Sequence, residues 1–145
     1  MPRPQDVGVG IASILFNEKG EILLGWRKKN KVWSFPGGWV EKKDKALLHA
    51  GRRETFEEVG ITIRRMTLLR ASTEIIPGDE HRSVTLWYYS DDKDWHGDVE
   101  NKEPEKHSDW KFFDLDALPT PLMAGLSETV LYLRNILMNW GLKKY

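Results

Sequence analysis

The feature that most constrains the fold of this chain is a nearly continuous apolar run, VGVGIASILF, at residues 7–16. The run contains glycine and β-branched residues but no stripe of helical period, which predicts a strand buried in the protein interior. A turn follows at residues 17–20, NEKG, and residues 21–26, EILLGW, predict a returning strand. We therefore expect the chain to begin with a β-hairpin.

The middle of the chain alternates between strand and helix signals. Residues 32–35 predict a short strand that stops at the PGG sequence of residues 36–38. Residues 44–59 are rich in Ala, Leu, Glu and Arg and end before Gly60, which predicts a helix with a glycine at its C-terminus. Residues 61–76 predict one long or bent strand, and residues 82–90 predict its hairpin partner after a turn at 77–80.

The last third of the chain predicts a loop, a strand and a helix. Residues 91–108 are polar and acidic, which indicates a loop or lid, and residues 110–113 predict a short strand. Thr120-Pro121 opens the final element. There, apolar residues recur at the spacing of an amphipathic helix packed on a core: Leu126, Val130, Leu133, Leu137 and Trp140.

Length and composition exclude several classes of protein. The 145 residues suit one domain, 1–145, and no internal repeat or linker divides them. Basic and acidic side chains balance at 22 each, which argues against nucleic-acid or membrane partners, because such binding draws on a surplus of Lys and Arg. The chain has no cysteine, no stretch approaching the ~20 apolar residues of a membrane span and no signal peptide, so we expect a cytoplasmic protein.

Three carboxylates converge near the end of the predicted helix. At about 100° per residue, Glu54, Glu57 and Glu58 fall within an arc of roughly 100° on one face, where like charges repel. The alternative is a solvated acidic surface, but the C-terminal end of a helix favours cations, so the cluster makes sense if a divalent cation binds there. Carboxylate oxygens select Mg²⁺ or Mn²⁺. Arg53, four residues before Glu57, can pair with that carboxylate, and the bare backbone of Gly38 can offer a carbonyl to the metal.

The segment 38–61 resembles the Nudix box of the Nudix hydrolases. The signature is a glycine, five residues, a glutamate, seven residues and then a run that residues 53–61, RETFEEVGI, match closely. Three details differ. Asp44 stands in place of the glutamate, eight residues instead of seven separate it from Arg53, and Thr55 occupies a slot that is usually apolar.

The resemblance extends to a branch of small Nudix enzymes that hydrolyse nucleoside triphosphates. It is carried by GVG at residues 8–10, LGWR at 24–27, SFPGG at 34–38, and EPEK at 103–106 followed by Trp110. It implies an α+β fold, a Nudix-like α/β/α sandwich in which a mixed, mostly antiparallel sheet lies between the box helix and the C-terminal helix. The order of the predicted elements permits this fold.

The resemblance also implies an activity and a site. Members of the branch release a nucleoside monophosphate and pyrophosphate from a nucleoside triphosphate, here including modified or deoxy forms, with Mg²⁺ or Mn²⁺ as cofactor. Glu54, Glu57 and Glu58 would hold the metal with Gly38. The catalytic set would be Glu57, Glu58 and Arg53, together with Glu103 and Glu105 as alternative sources of the general base.

Contacts to the substrate are also predicted. Arg27 and Lys106 can meet phosphate oxygens as cations, although solvated side chains are the alternative for both. Aromatic residues make up 11% of the chain, and each is either core or part of a wall on which a base could stack. The candidates for that wall are Trp33, Phe35, Trp87 and Trp110. We interpret His49 and His81 as ordinary polar residues.

Other functions stay open at this stage. The substrate could instead be a nucleotide sugar, a dinucleotide or an isoprenoid diphosphate, and the aromatic content would suit the last. From a different class, the extra residue before the helix could have left a catalytically silent nucleotide-binding module. The runs at residues 8–16 and 82–90 suggest exposed or pairing strand edges, so we also expect a homodimer.

Overall fold

The computed structural model describes residues 7–74 and 82–143, of which 140–143 are described as backbone only. Within these ranges the chain forms nine strands and two helices. Their bounds are β1 Gly8–Leu15, β2 Ile22–Arg27, β3 Val32–Ser34, β4 Gly37–Trp39, α1 Leu47–Val59, β5 Thr62–Ile63, β6 Thr67–Glu74, β7 Ser83–Ser90, β8 Trp95–His96, β9 His107–Phe113 and α2 Leu126–Lys143. Neither helix is long and apolar enough, over its described residues, to cross a membrane.

The strands form a mixed, mostly antiparallel arrangement, as the sequence analysis predicts. The largest sheet has the order β4-β1-β7-β6, in which β1 and β7 run parallel and the other neighbours antiparallel. A second sheet, β3-β2-β9, and a pair, β5-β8, are antiparallel.

Strand β1 is buried on both faces from Ile11 onward, because one helix packs on each side of this part of the strand. Ile11 and Leu15 point toward α1, where they share a core with Ala50 and Val59. The alternate residues of β1 point the other way and share a second core with α2, made of Ala12, Ile14, Phe16, Leu126, Val130 and Leu133. Burial on both sides explains why residues 11–16 show no alternation between apolar and polar side chains, and it gives the α/β/α layering that we expected.

The predicted hairpin of the first two strands is wrong. The turn at 17–20 does form, because the Asn17 side-chain oxygen accepts the N–H groups of Lys19 and Glu21. The strands on either side of it then enter different sheets and share a single bridge between Phe16 and Ile22. The expectation of free edges is also wrong, because β1 and β7 pair with each other in the middle of the large sheet.

Several predicted boundaries also differ from the structure. Within the predicted strand 61–76, the described residues 61–74 form two strands, β5 and β6, and β6 pairs antiparallel with β7 as predicted. The acidic loop contains the short strand β8, β9 begins at His107 instead of residue 110, and α1 begins at Leu47 instead of residue 44. The predicted turn at 77–80 and His81 lie outside the described residues, as does the side chain of Trp140.

The predicted stop at PGG is instead strand β4, which is central to the site. Its first residue, Gly37, lies so close to β1 that a β-carbon there would collide with the carbonyl oxygen of Ile11. Only glycine allows the two backbones to approach this closely. Gly37 and Gly38 therefore allow this segment to form a strand beside the C-terminal end of α1.

Candidate active site

The last two turns of α1 carry the acidic cluster. The helix ends at Gly60, whose φ of 74° is left-handed and whose N–H donates to the carbonyl of Phe56. No basic residue lies in the last turn to offset the carboxylates. The unusual Thr55 is buried, and its hydroxyl donates to the Gly51 carbonyl at 2.8 Å, so a polar residue is tolerated in the apolar slot.

Glu54 packs directly against strand β4. Its carboxylate lies over Gly38, at the place that a β-carbon of residue 38 would occupy. Burial raises the pKa of Glu54, although the hydrogen bond from Arg53 acts in the opposite direction. Glycine at position 38 is therefore required for this carboxylate to reach the strand.

Glu58 is the most buried carboxylate of the cluster, with 4% of its surface exposed. One of its oxygens, Oε1, accepts the Gly37 N–H at 3.3 Å, while Oε2 is buried without a hydrogen-bond partner and lies 3.6 Å from Nε2 of His107. Burial, reinforced by the negative charge of Glu54, raises the pKa of Glu58 to about 9. Burial likewise lowers the pKa of His107 to about 4. At neutral pH the two groups therefore face each other uncharged.

Arg53 holds the acidic cluster in place through several hydrogen bonds. Its guanidinium donates to both carboxylate oxygens of Asp44 at 2.9 Å, to Glu54 at 3.0 Å and to the Trp39 carbonyl at 3.3 Å. The predicted pair with Glu57 is also present, at a longer 3.4 Å, and the Glu57 side chain is 43% exposed. Arg53 therefore orients Glu54 more closely than it orients Glu57.

Asp44 is the main partner of Arg53. Its side chain is buried, and besides the two bonds from the guanidinium it accepts the Glu41 N–H at 2.8 Å. The bonds from Arg53 hold the pKa of this carboxyl well below its usual range. The shorter acid and the changed spacing before α1 therefore still provide a bidentate carboxylate for the box arginine.

The loop at residues 103–106, which precedes β9, also approaches the acidic cluster. Glu103 is partly buried and accepts a hydrogen bond from Lys106 at 3.2 Å, and this bond is the main cause of the raised pKa of Lys106. Glu105 is exposed. Lys28 ties the loop to β2, because its ammonium donates to the Pro104 carbonyl at 2.6 Å and its N–H to the Lys106 carbonyl at 3.0 Å.

Arg27 and Glu103 both lie close enough to Glu58 to affect its titration. After burial and Glu54, the negative charge of Glu103 raises the pKa of Glu58 and the positive charge of Arg27 lowers it. Arg27 pairs with His107 across β2 and β9, Lys106 precedes His107 and binds Glu103, and His107 itself faces Glu58, so these residues lie on the His107 side of the acidic cluster.

Two of the four predicted stacking residues have no open face. Phe35 and Trp87 are buried in the core between the sheet and α2, where their rings pack edge to face, and the Trp87 indole donates to Ser72 at 2.8 Å. Trp33 is partly buried between Trp26 and Phe113. We therefore correct the prediction for Phe35 and Trp87, because rings that are fully packed against core side chains cannot stack on a substrate.

Trp110 and Trp39 lie nearer to the carboxylates. Trp110 covers the backbone of Gly25, where a β-carbon would be 2.5 Å from the ring, and it contacts His107 with ring centroids 4.9 Å apart. Trp39, which the sequence analysis did not select, is 52% exposed beside Gly38. The only feature of the sequence that points to Trp39 as a site residue is its position next to Gly37 and Gly38.

The described residues fit a divalent cation in part. Among them, no three acidic or histidine side chains are already gathered around one point as a ligand set. However, Glu54 and Glu58 both lie against the Gly37-Gly38 backbone, and Glu58 has a buried oxygen without a partner. A buried carboxylate oxygen that lacks a donor is the kind of group that a cation satisfies.

The pKa values of Glu58 and His107 predict how the stability of the metal-free protein varies with pH. Between the ordinary carboxyl pKa of 4.5 and the folded value of about 9, folded protein holds a proton that the unfolded chain has lost, so Glu58 lowers stability as pH rises. His107, with a folded pKa of about 4 against 6.5, lowers stability as pH falls below 6.5.

We therefore expect the free energy of unfolding in EDTA to fall between pH 7 and pH 9, with Glu58 contributing at most about 1.4 kcal/mol per pH unit. Urea denaturation at several pH values measures this slope. The variant Glu58→Gln should lack the Glu58 contribution, and parallel curves for the two proteins would contradict the prediction.

Comparisons with known proteins identify relatives over nearly the whole chain. The sequence model of the family described as NUDIX domain matches residues 6–133. An 8-oxo-dGTP diphosphatase of Buchnera aphidicola is 32% identical over 127 residues, which are 88% of this chain and 98% of the relative.

Solved structures agree with the sequence comparison. The MutT NUDIX hydrolase of Burkholderia pseudomallei has a TM-score of 0.80 and 29% identity, and the match covers 88% of this chain and 98% of that one. A MutT protein of Methanosarcina mazei has a TM-score of 0.73 at 22% identity, with 92% and 97% covered, and shows the same fold.

Proposed function

The chain belongs to the NUDIX family, and we propose that it hydrolyses a nucleoside triphosphate, including modified or deoxy forms, to a nucleoside monophosphate and pyrophosphate. The proposal depends on the positions of Glu54 and Glu58, which lie against Gly37 and Gly38 of β4, and on the hydrogen bond from Arg53 to Glu54. The relatives support it, since one is named 8-oxo-dGTP diphosphatase and another MutT NUDIX hydrolase.

The cofactor that fits these residues is Mg²⁺ or Mn²⁺. Glu54 and Glu58 would hold it first, with Glu57 and the Gly38 carbonyl as further ligands. When bound, a divalent ion neutralises polyphosphate charge and lowers the pKa of water, which is the chemistry that phosphoanhydride hydrolysis needs. Oxygen donors of this kind match the preference of both ions.

The protein's own groups would position the substrate and move one proton. Arg27 and Lys106, which lie beside each other where β2 pairs with the start of β9, can donate to phosphate oxygens, and Arg53 acts through Glu54 instead of touching the substrate. The attacking water loses its proton to a carboxylate, for which Glu57, Glu58, Glu103 and Glu105 are the candidates. Glu103 is favoured over Glu105, because it is partly buried and its charge reaches Glu58.

Trp39 is the aromatic side chain best placed to stack on the base. Successive residues of a strand point to opposite faces, so its ring lies across β4 from Glu54. One side of the ring rests on β1, where a β-carbon at Gly8 would be 2.7 Å from Cζ3. About half of the Trp39 surface, 52%, is exposed.

We expect Trp39→Ala to raise KM about 10-fold with kcat little changed, because stacking on a base contributes about 1–3 kcal/mol. Steady-state kinetics measures both constants. Leu68→Ala is a control, since Leu68 is a 50% exposed apolar side chain on β6, the edge of the sheet opposite to β4. Equal effects of the two substitutions on KM would contradict a stacking role.

A substrate panel tests the proposed reaction. Purified protein with Mg²⁺ would be given the common and oxidised nucleoside triphosphates, nucleotide sugars, dinucleotides and isoprenoid diphosphates, and the phosphate-containing products would be identified by chromatography. Release of pyrophosphate and a nucleoside monophosphate from a triphosphate is the expected result. Turnover of only the other compounds would change the proposed substrate class. No turnover of any compound would favour a catalytically silent binding module.

We also infer a cytoplasmic homodimer, although the strand edges that first suggested a dimer are internal. What supports a dimer now is the set of exposed apolar side chains on α2, Leu131, Tyr132 and Met138. Gel filtration at two protein concentrations tests the oligomeric state.

A further inference from the structure

His107 is a buried residue of the site that the sequence analysis did not select. It begins β9, it is 6% exposed, and its Nε2 lies 3.6 Å from Oε2 of Glu58. Its Nδ1 is buried without a hydrogen-bond partner, as is the Glu58 oxygen that Nε2 faces. Native proteins rarely leave buried polar atoms unpaired, because a buried group without a partner loses its hydrogen bonds to water and gains none in return. A buried imidazole in this position therefore indicates a role for His107 beyond packing.

The surroundings of His107 hold its ring in place. Its backbone N–H donates to the Glu103 carbonyl at 3.1 Å, and its own carbonyl accepts the Asn101 side-chain amide at 2.8 Å. It pairs with Arg27 across the β2–β9 ladder, and its ring packs on Trp110. Nε2 is thus presented to Glu58 from a fixed backbone and a packed ring.

The carboxylate of Glu58 is held between two elements. The Gly37 N–H of β4 donates to Oε1, and His107 of β9 faces Oε2. The distance of 3.6 Å is less than an ångström longer than an ordinary N–H···O hydrogen bond of about 2.9 Å. A small movement of the Glu58 side chain would close this second contact.

We propose that His107 is a positioning residue, whose Nε2–H donates to Oε2 of Glu58 and, with the Gly37 N–H on Oε1, fixes the plane of that carboxylate for a divalent cation. The inference rests on the proposed function in one respect, that Glu58 is a metal ligand. His107 touches neither the cation nor the substrate, and it acts through Glu58. Partners that orient a ligand in this way are worth about 10- to 100-fold in metal affinity or activity.

Two amide substitutions separate the positioning role from simple packing. The side-chain amide of His107→Gln reaches the position of Nε2, whereas that of His107→Asn reaches only the position of Nδ1. We expect His107→Asn to weaken the binding of Mn²⁺ about 10- to 100-fold and to lower kcat by a similar factor, with KM for the nucleotide little changed. His107→Gln should stay within about 3-fold of the wild type.

The measurement is the dissociation constant of Mn²⁺ alone, from the electron paramagnetic resonance signal of free Mn²⁺, together with the melting temperature of each variant. His107→Phe serves as a second variant without a donor that fills the same space, in case His107→Asn does not fold. The inference is overturned if Gln and Asn weaken Mn²⁺ binding equally, or if both leave it unchanged while lowering the melting temperature.

Glu58→Gln distinguishes this inference from the proposed function. If Glu58→Gln abolishes Mn²⁺ binding at the cluster but His107→Asn and His107→Phe do not weaken it, only the role of His107 fails. If Glu58→Gln leaves Mn²⁺ binding intact, Glu58 is not a ligand and both the site and the inference built on it fail.

Discussion

Glu58→Gln is expected to lower kcat about 10³-fold while leaving the fold intact. The substitution removes the most buried carboxylate of the cluster, which the proposal assigns to the metal, and the loss of one group that stabilises transition-state charge typically costs about 10²- to 10³-fold. Steady-state turnover of the best substrate in the panel measures the loss. A kcat within a few-fold of the wild type would contradict the role of Glu58 at the site.

The same substitution should cost little stability. Because burial raises the pKa of Glu58 to about 9, its carboxyl group is protonated at neutral pH in the metal-free protein, and glutamine has nearly the same shape and no charge. At pH 7 the Glu58 carboxyl is ionised in the unfolded chain, so the wild type must take up a proton on folding, whereas the variant need not. We therefore expect Glu58→Gln to melt above the wild type in EDTA at pH 7. Addition of Mg²⁺ should then raise the melting temperature of the wild type more than that of the variant.

Glu57→Gln is the matched control for this experiment. Glu57 lies on the same helix face, but its side chain is 43% exposed and contacts only the edge of the Arg53 guanidinium at 3.4 Å. We expect a smaller loss of kcat than for Glu58→Gln. An equal loss would mean that burial does not decide which carboxylate contributes most.

The sequence predicted the parts of the site that depend on local spacing. Glu54, Glu57 and Glu58 are close in sequence on one helix, so their placement on one helix face follows from helical period alone. The same holds for the end of α1 at Gly60, where a left-handed residue is needed. The layering of sheet and helices was implied by the resemblance to the Nudix family, and the order of the predicted elements permitted it.

The parts that depend on distant strands could not be predicted in this way. His107 reaches Glu58 only because β9 pairs with β2, and Phe35 and Trp87 are buried only because β7 lies beside β1. Strand β4 was missed because local propensity treats adjacent glycines as a turn, whereas here they allow two strands to touch. Tertiary packing decides which aromatic ring is open, and Trp39 is open because it lies on an edge strand.

Arg53→Lys is expected to lower kcat/KM about 10- to 100-fold and to lower the melting temperature. Arg53 donates to two oxygens of Asp44, to Glu54 and to the Trp39 carbonyl, and it thereby ties the loop before the helix, the metal-binding face and β4 together. A lysine keeps the positive charge but offers a single ammonium, which cannot reproduce a planar bidentate pair with Asp44. Glu54 would then lose the partner that orients it, and residues that orient a ligand are worth 10- to 100-fold.

The adjacent arginine supplies the control for this prediction. Arg52 lies one position earlier on α1, and its guanidinium donates to the carbonyls of Ile63 at 3.1 Å and Arg64 at 3.0 Å instead of to any acid of the cluster. Arg52→Lys should therefore reduce stability without reducing kcat, because it loosens α1 from the chain after β5 but leaves Glu54 in place. Kinetics and thermal denaturation of both variants measure the two effects separately. If Arg52→Lys and Arg53→Lys lose activity equally, the loss comes from a weakened helix, and the hydrogen bonds of Arg53 do not position the carboxylates.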